Sequence, residues 1–207
     1  MGIKVVGKID WEDGDLGGNN DFMKLEEGPN EVRLISKPYQ LYVCWTNDSS
    51  GAQRKVRAAL ENCPLAERGE KIQAHWYTAI INRKTGKPAI LEMGSQIFKQ
   101  IVSLRKNTKW GDPRFYDINI ERNPKGSQPL YNVQPQPKEP LTDAEKAMVK
   151  TFLDNVDLEK MTTPPTRAEV LKQLGIEEKV ISKAAESAST STDSGSDDSD
   201  DFNFDEV

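Results

Sequence analysis

Between residues 31 and 140 the chain is cut by Gly, Pro and Asn into short runs of β-branched and aromatic residues, and one stretch alone carries clear amphipathic helical spacing. Glu31 to Lys37 and Leu41 to Trp45 read as strands parted at Lys37-Pro38. Ala74 to Asn82 and Pro88 to Met93 read as a hairpin around Arg83-Lys84-Thr85-Gly86-Lys87. Tyr116 to Glu121 alternates strictly, and Leu130 to Val133 precedes a proline-rich exit over 134–140. The helix is opened by Ser95 as a cap and carries Ile97, Phe98, Ile101 and Val102 on one face. About six short strands around one helix predict a mainly β fold, a small closed or partly closed barrel, with a sandwich as the alternative.

The rest of the chain frames that segment. Residues 1–29 hold a Gly, Asn and Asp-rich stretch that offers little to bury, so they read as a loosely ordered arm before a domain over 30–140. An insertion spans 46–73; its Ala52 to Leu60 stretch is helix-compatible, and Cys63-Pro64 ends it. Residues 141–185 read as two short helices, each with a capping box, Thr142-x-x-Glu145 and Thr166-x-x-Glu169, the second closed by Gly175. From 186 to 207 the chain is Ser, Thr and Asp and reads as a disordered acidic tail. No apolar run approaches the length of a membrane span and MGIKVVGKID lacks a secretory apolar core, so a cytoplasmic protein is expected.

The net charge of −5 conceals a division: residues 31–140 carry 18 basic and 10 acidic side chains, whereas 186–207 carry 8 acidic and no basic ones. In the basic segment an aromatic series that also holds Tyr39 and Phe115 interleaves with the cations. Single strands of nucleic acid are held by stacking bases on aromatic faces while cations follow the phosphates. On that ground Tyr42, Trp45, Trp76, Tyr77, Trp110, Tyr116 and Tyr131 are the candidate stacking residues. Arg54, Lys55, Arg57, Arg83, Lys99, Arg105, Lys106, Lys109, Arg114 and Arg122 are the candidate phosphate contacts. Some of these rings must be core, and the adjacent Trp76 and Tyr77 cannot share one face of a strand, so one is the platform and the other packs inside. The densest cationic run, Lys99 to Arg114, reads as a phosphate-contacting loop in which Trp110 stays accessible, or as a solvated helix end.

Cys44, Cys63 and His75 are the candidate metal ligands, one short of a four-coordinate structural zinc site, and the simpler reading is two buried thiols and a hydrogen-bonded imidazole. No cofactor is expected. Neither a Walker-type phosphate loop, a G-x-S-x-G elbow nor an H-E-x-x-H pair occurs, so no enzyme is expected.

An ordered series of short motifs adds a resemblance: CPLAERG at 63–69, Trp76 to Arg83, ILEMGSQIFKQI at 90–101, WGDP at 110–113, YDINIER at 116–122 and YNVQP at 131–135. Over residues 30–140 the chain resembles phage single-stranded DNA-binding proteins of the type of the T-even phage helix-destabilising protein. The resemblance implies an OB-fold-type barrel, coating of exposed DNA strands during replication, recombination and repair, and an acidic tail that recruits partner enzymes. Asp200, Asp201, Phe202, Phe204, Asp205 and Glu206 match that tail. Relatives with a zinc subdomain place it in this insertion with a cysteine pair where this chain has Cys63 and Ala66, which implies a degenerate insertion without its ion. Two other readings stand beside this one: a module for single-stranded RNA, which stacking and charge suit equally, and an interaction scaffold for the tail that binds no nucleic acid.

Overall fold

The computed structural model describes residues 22–175 except Ser49, and the acidic tail and most of the N-terminal arm lie outside them. The described residues form eight strands and five α-helices, so the fold is mainly β. The strands are β1 (Phe22–Met23), β2 (Gly28–Leu34), β3 (Tyr39–Asn47), β4 (Gln53–Ala58), β5 (Ile72–Asn82), β6 (Lys87–Gly94), β7 (Asp117–Arg122) and β8 (Tyr131–Pro135). The helices are α1 (Pro64–Glu67), α2 (Ser95–Lys106), α3 (Asp143–Asn155), α4 (Leu158–Thr162) and α5 (Arg167–Leu174).

The strands run β1-β6-β5-β2-β7-β8, with β3 and β4 continuing the sheet off β5. β2 and β3 lie end to end along one side of β5, from Val32 opposite Asn82 to Cys44 opposite Ile72. Between them the link over 35–38 bulges. It is pinned to β5 by Ile35 N donating to Ala79 O (2.9 Å) and Ala79 N donating to Ser36 Oγ (2.9 Å). The bulge divides the work of this bent strand, since its first half pairs with β7 and its second with β4.

Alternation along β5 feeds two cores. Ile80 faces α2, in a cluster with Val32, Leu91, Met93, Ile97, Phe98, Ile118 and Ile120. Tyr77 and Ala79 face the other way, toward Leu158 of α4. A third cluster joins Cys44, Val56 and Cys63 to Val170 and Leu174 of α5. Both capping boxes form as the sequence predicts, and Gly175 ends α5 in the left-handed conformation (φ 62°).

Several expectations are corrected. Residues 53–58 are not helical: β4 pairs with β3 through a turn in which Asp48 Oδ1 accepts from Ser50 N (2.9 Å) and Ala52 N (3.1 Å). The alternating Val56 and Ala58 are buried against Cys44, and that packing outweighs the helical propensity of Ala and Arg. Cys63-Pro64 opens a helix instead of closing one, with proline in the first turn of α1. Gly94, not Ser95, holds the N-cap position of α2. Among the described residues the segment after 140 holds three helices, the additional one being α4, which Asp157 caps.

The sheet is not a closed barrel. Among the described residues no ladder joins β8 to β6. Side chains of α2 occupy that seam: Gln96 Oε1 accepts from Tyr131 N (3.0 Å), Gln100 Oε1 accepts from Val133 N (2.9 Å), and Gln100 Nε2 donates to Tyr131 O (3.0 Å). Two glutamine amides thus satisfy the edge of β8 that a neighbouring strand would otherwise hold. Gln100→Leu keeps the approximate shape and removes two of these bonds, so it is expected to lower unfolding stability by about 1–3 kcal/mol. An unchanged urea midpoint would remove this role from Gln100.

Candidate nucleic-acid interface

The predicted rings separate by strand parity. Tyr77 is buried among Leu41, Val43, Ile90 and Leu158, with Phe22 edge-on at 5.2 Å, and burial pushes its phenol pKa upward. Trp76 lies on the opposite face, half-buried, with its ring stacked on Phe98 (centroids 3.9 Å apart, planes 6° apart). Both faces of β5 are therefore core-facing, and Trp76, packed against the α2 core, is the more accessible ring of the pair. Tyr116 is fully buried, shares parity with Ile118 and Ile120, and donates to Gly111 O (3.3 Å); burial pushes its pKa up to about 12. It is withdrawn as a stacking residue.

Trp110 is also more enclosed than expected. The chain turns back after α2, with Gly111 N donating to Asn107 O (2.8 Å) and Gly111 at φ 68°, a conformation glycine adopts without steric cost. This lays Trp110 against the α2 core and Tyr116 (5.5 Å), with Lys109 Nζ 5.3 Å from the indole centroid. Tyr131 is half-buried against the same core, and Tyr42 packs on the α5 cluster with its hydroxyl accepting from Gln40 Nε2 (2.9 Å). Trp45 alone of the seven is largely exposed, at 52%, and stands opposite Lys55 across the β3–β4 ladder.

The cations divide likewise. Arg83 forks onto Asp117 (Nε to Oδ2 2.8 Å, Nη2 to Oδ1 2.9 Å) and reaches Glu145 of α3, so it ties the sheet to a helix. Arg57 donates to Thr163 O and Arg122 to Leu25 O, both half-buried. These three are structural in this fold. Arg54 meets Asp48 (2.5 Å) while half exposed, and Lys55 meets Glu92. Lys99, Lys106 and Lys109 face solvent.

Arg105 and Arg114 converge. With Lys37 they border a cleft between the β2–β3 link, α2 and the 3-10 turn at Pro113–Phe115. Arg114 donates to both Asp112 oxygens from Nε (3.0 Å each), and these hydrogen bonds hold the Asp112 carboxyl below its usual range. Phe98, whose ring carries Trp76, lines the same cleft. Lys37, which lines this cleft, is missing from the sequence-based site, and its local sequence, a lysine before a proline, gives no sign of it.

The three candidate metal ligands are not gathered. Cys44 and Cys63 are buried in the α5 cluster, and burial pushes the Cys44 thiol up. His75 Nδ1 lies 2.6 Å from Glu92 Oε1. Burial alone would raise the Glu92 carboxyl, but hydrogen bonds from His75 and Lys55 outweigh it and hold it below its usual value. Among the described residues no group of three or more His, Cys, Asp or Glu side chains is placed to hold a metal ion, and no helix is long and apolar enough to cross a membrane.

No family model matches the chain, and no solved structure does. Among curated proteins, the probable ssDNA-binding protein of Escherichia phage T5 is similar to it, at 27% identity over 176 residues covering 69% of this chain and 68% of that protein.

Proposed function

We propose that this chain binds single-stranded DNA without strong sequence preference, on a partly open barrel of the OB type, as a coat for strands exposed in phage replication, recombination and repair. The observation that carries the reading is the Trp76–Phe98 stack beside the border of Lys37, Arg105 and Arg114. An aromatic face next to convergent cations is what bases and phosphates of an unpaired strand require. The name of the phage T5 relative supports the same reading. To this the proposal adds, from the T-even resemblance, partner enzymes recruited by the acidic tail and a place of action in the host cytoplasm. This role needs neither catalysis nor a metal.

The test is quenching of tryptophan fluorescence by oligo-dT, with a matched RNA oligonucleotide in competition. Trp76→Ala is expected to weaken oligo-dT binding by about 1–3 kcal/mol while the protein remains folded. Tyr77→Ala is expected to cost about 3–5 kcal/mol of stability, as truncation of a buried ring does. Normal affinity in a folded Trp76→Ala protein, or preference for RNA, would overturn the proposal.

A further inference from the structure

The β2–β3 link also borders a second, open groove, on the side of the sheet that meets α4. It holds about 600 Å3, within the ~300–1,000 Å3 range of clefts that take ligands, and runs between the link and the α3–α4 connection. Tyr39 and Leu153, each 37% exposed, and the half-buried Val156 give it apolar surface. Its charged lining is of one sign, Asp154, Asp157 and Glu159, all exposed, with no Lys or Arg among the lining residues. Asp157 caps α4 by accepting from Lys160 N (2.9 Å), whereas Asp154 and Glu159 have no ion-pair partner among the described residues. Exposed apolar side chains beside unpaired carboxylates fit a segment that is apolar and basic together.

We infer that the groove takes residues 1–9 of this same chain, MGIKVVGKI, which lie outside the described residues. The segment carries Ile3, Val5, Val6 and Ile9 with Lys4 and Lys8, and no acidic side chain. An extended backbone puts Ile3, Val5 and Ile9 on one face and Lys4 and Lys8 on the other. The apolar face then meets Tyr39 and Leu153, and the long lysines reach back to the carboxylates of the rim. Chain continuity supplies the second argument. Phe22, where the described residues begin, packs in one cluster with Ile35, Val156 and Leu158 of the groove. The twelve residues 10–21 span at most ~40 Å, and a segment tethered that closely is at high effective concentration over the groove. A basic peptide from a partner lacks that tether, which favours the chain's own N-terminal residues. The inference is independent of nucleic-acid binding.

Photo-cross-linking in the full-length protein tests this, with p-benzoylphenylalanine in place of Val6 and equal amounts of isotopically light and heavy chains. Cross-links are expected within single chains, to Tyr39 or to residues 151–160. Asp154→Lys combined with Glu159→Lys, at two exposed positions, is expected to lower their yield roughly fivefold, the size of about two surface ion pairs. Adding Lys4→Glu and Lys8→Glu to that protein is expected to restore the yield, a rescue that damage to the fold would not give. Cross-links between chains, to another surface, or none at all overturn the inference. So does a yield that the first pair of changes leaves as it was or that the second pair fails to restore.

Discussion

Asp117→Ala is expected to destabilise the protein by about 3–5 kcal/mol, the cost of leaving a buried charge without its partner. Arg33 is 1% exposed, and its Nε donates to Asp117 Oδ1 (2.5 Å) while the same carboxylate takes the Arg83 fork. Removing the carboxylate leaves two guanidinium groups against each other, one enclosed under the sheet. A second variant separates this from simple cavity formation: Arg33→Met combined with Asp117→Leu removes both buried charges and is expected to recover much of the loss, since an ion pair replaced by apolar side chains is often near neutral. A loss below about 1 kcal/mol for Asp117→Ala in urea unfolding would show the network to be dispensable.

The same network has an acid limb. Backbone hydrogen bonding from Thr142 and then the Arg83 contact lower the Glu145 pKa from 4.5 to about 2. A carboxyl depressed in the folded state contributes stability that is fully present above its unfolded value and is lost as pH falls through the folded one. The α3 anchor is therefore expected to weaken between about pH 4.5 and pH 2, and Glu145→Gln to remove that part of the acid transition. Through Arg83, Leu158, Val170 and Leu174, the helices after residue 140 are built into the cores of the β domain.

Local chemistry was legible and long-range pairing was not. The β5–β6 hairpin, α2 and both capping boxes followed from turn residues, helical spacing and Thr-x-x-Glu patterns, all contained within a few residues. Arg83 looked like a phosphate contact because its chain neighbours are Lys84 and a turn. Its partners lie 34 and 62 residues away, at Asp117 and Glu145. β4 was misread for the same reason, since its strand character comes from Cys44 and α5. Parity put Trp76 and Tyr77 on opposite faces of β5, but both faces meet a core, and Tyr116 shares its inward parity with Ile118 and Ile120. The cleft joins residues from three separate segments, and only the folded chain brings Lys37 to Arg105 and Arg114.

Deleting residues 186–207 is expected to tighten oligo-dT binding most at low salt and to steepen its salt dependence. Those residues lie outside the described structure, and the argument rests on their composition: eight acidic and no basic side chains, tethered to a segment, 31–140, with a net charge of +8. A tethered polyanion meets the cationic surface at high effective concentration, so incoming DNA must compete with it. Each neutralised phosphate of a single strand contributes about −0.7 to the slope of log K against log salt. Four to six contacts from Lys37, Lys99, Arg105, Lys106, Lys109 and Arg114 thus give roughly −3 to −4, a loss of about 10³–10⁴ in affinity over a tenfold rise in salt. In the full chain salt also loosens the tail, which offsets part of that loss, so the truncated protein should show the steeper line and the two should converge as screening becomes complete. In the proposed function Phe202 and Phe204, set between acidic residues, are the apolar anchor for a partner's basic pocket, and deletion is accordingly expected to abolish capture of phage replication enzymes. Parallel salt lines of equal affinity, with partners retained, would reduce the tail to a solubility device.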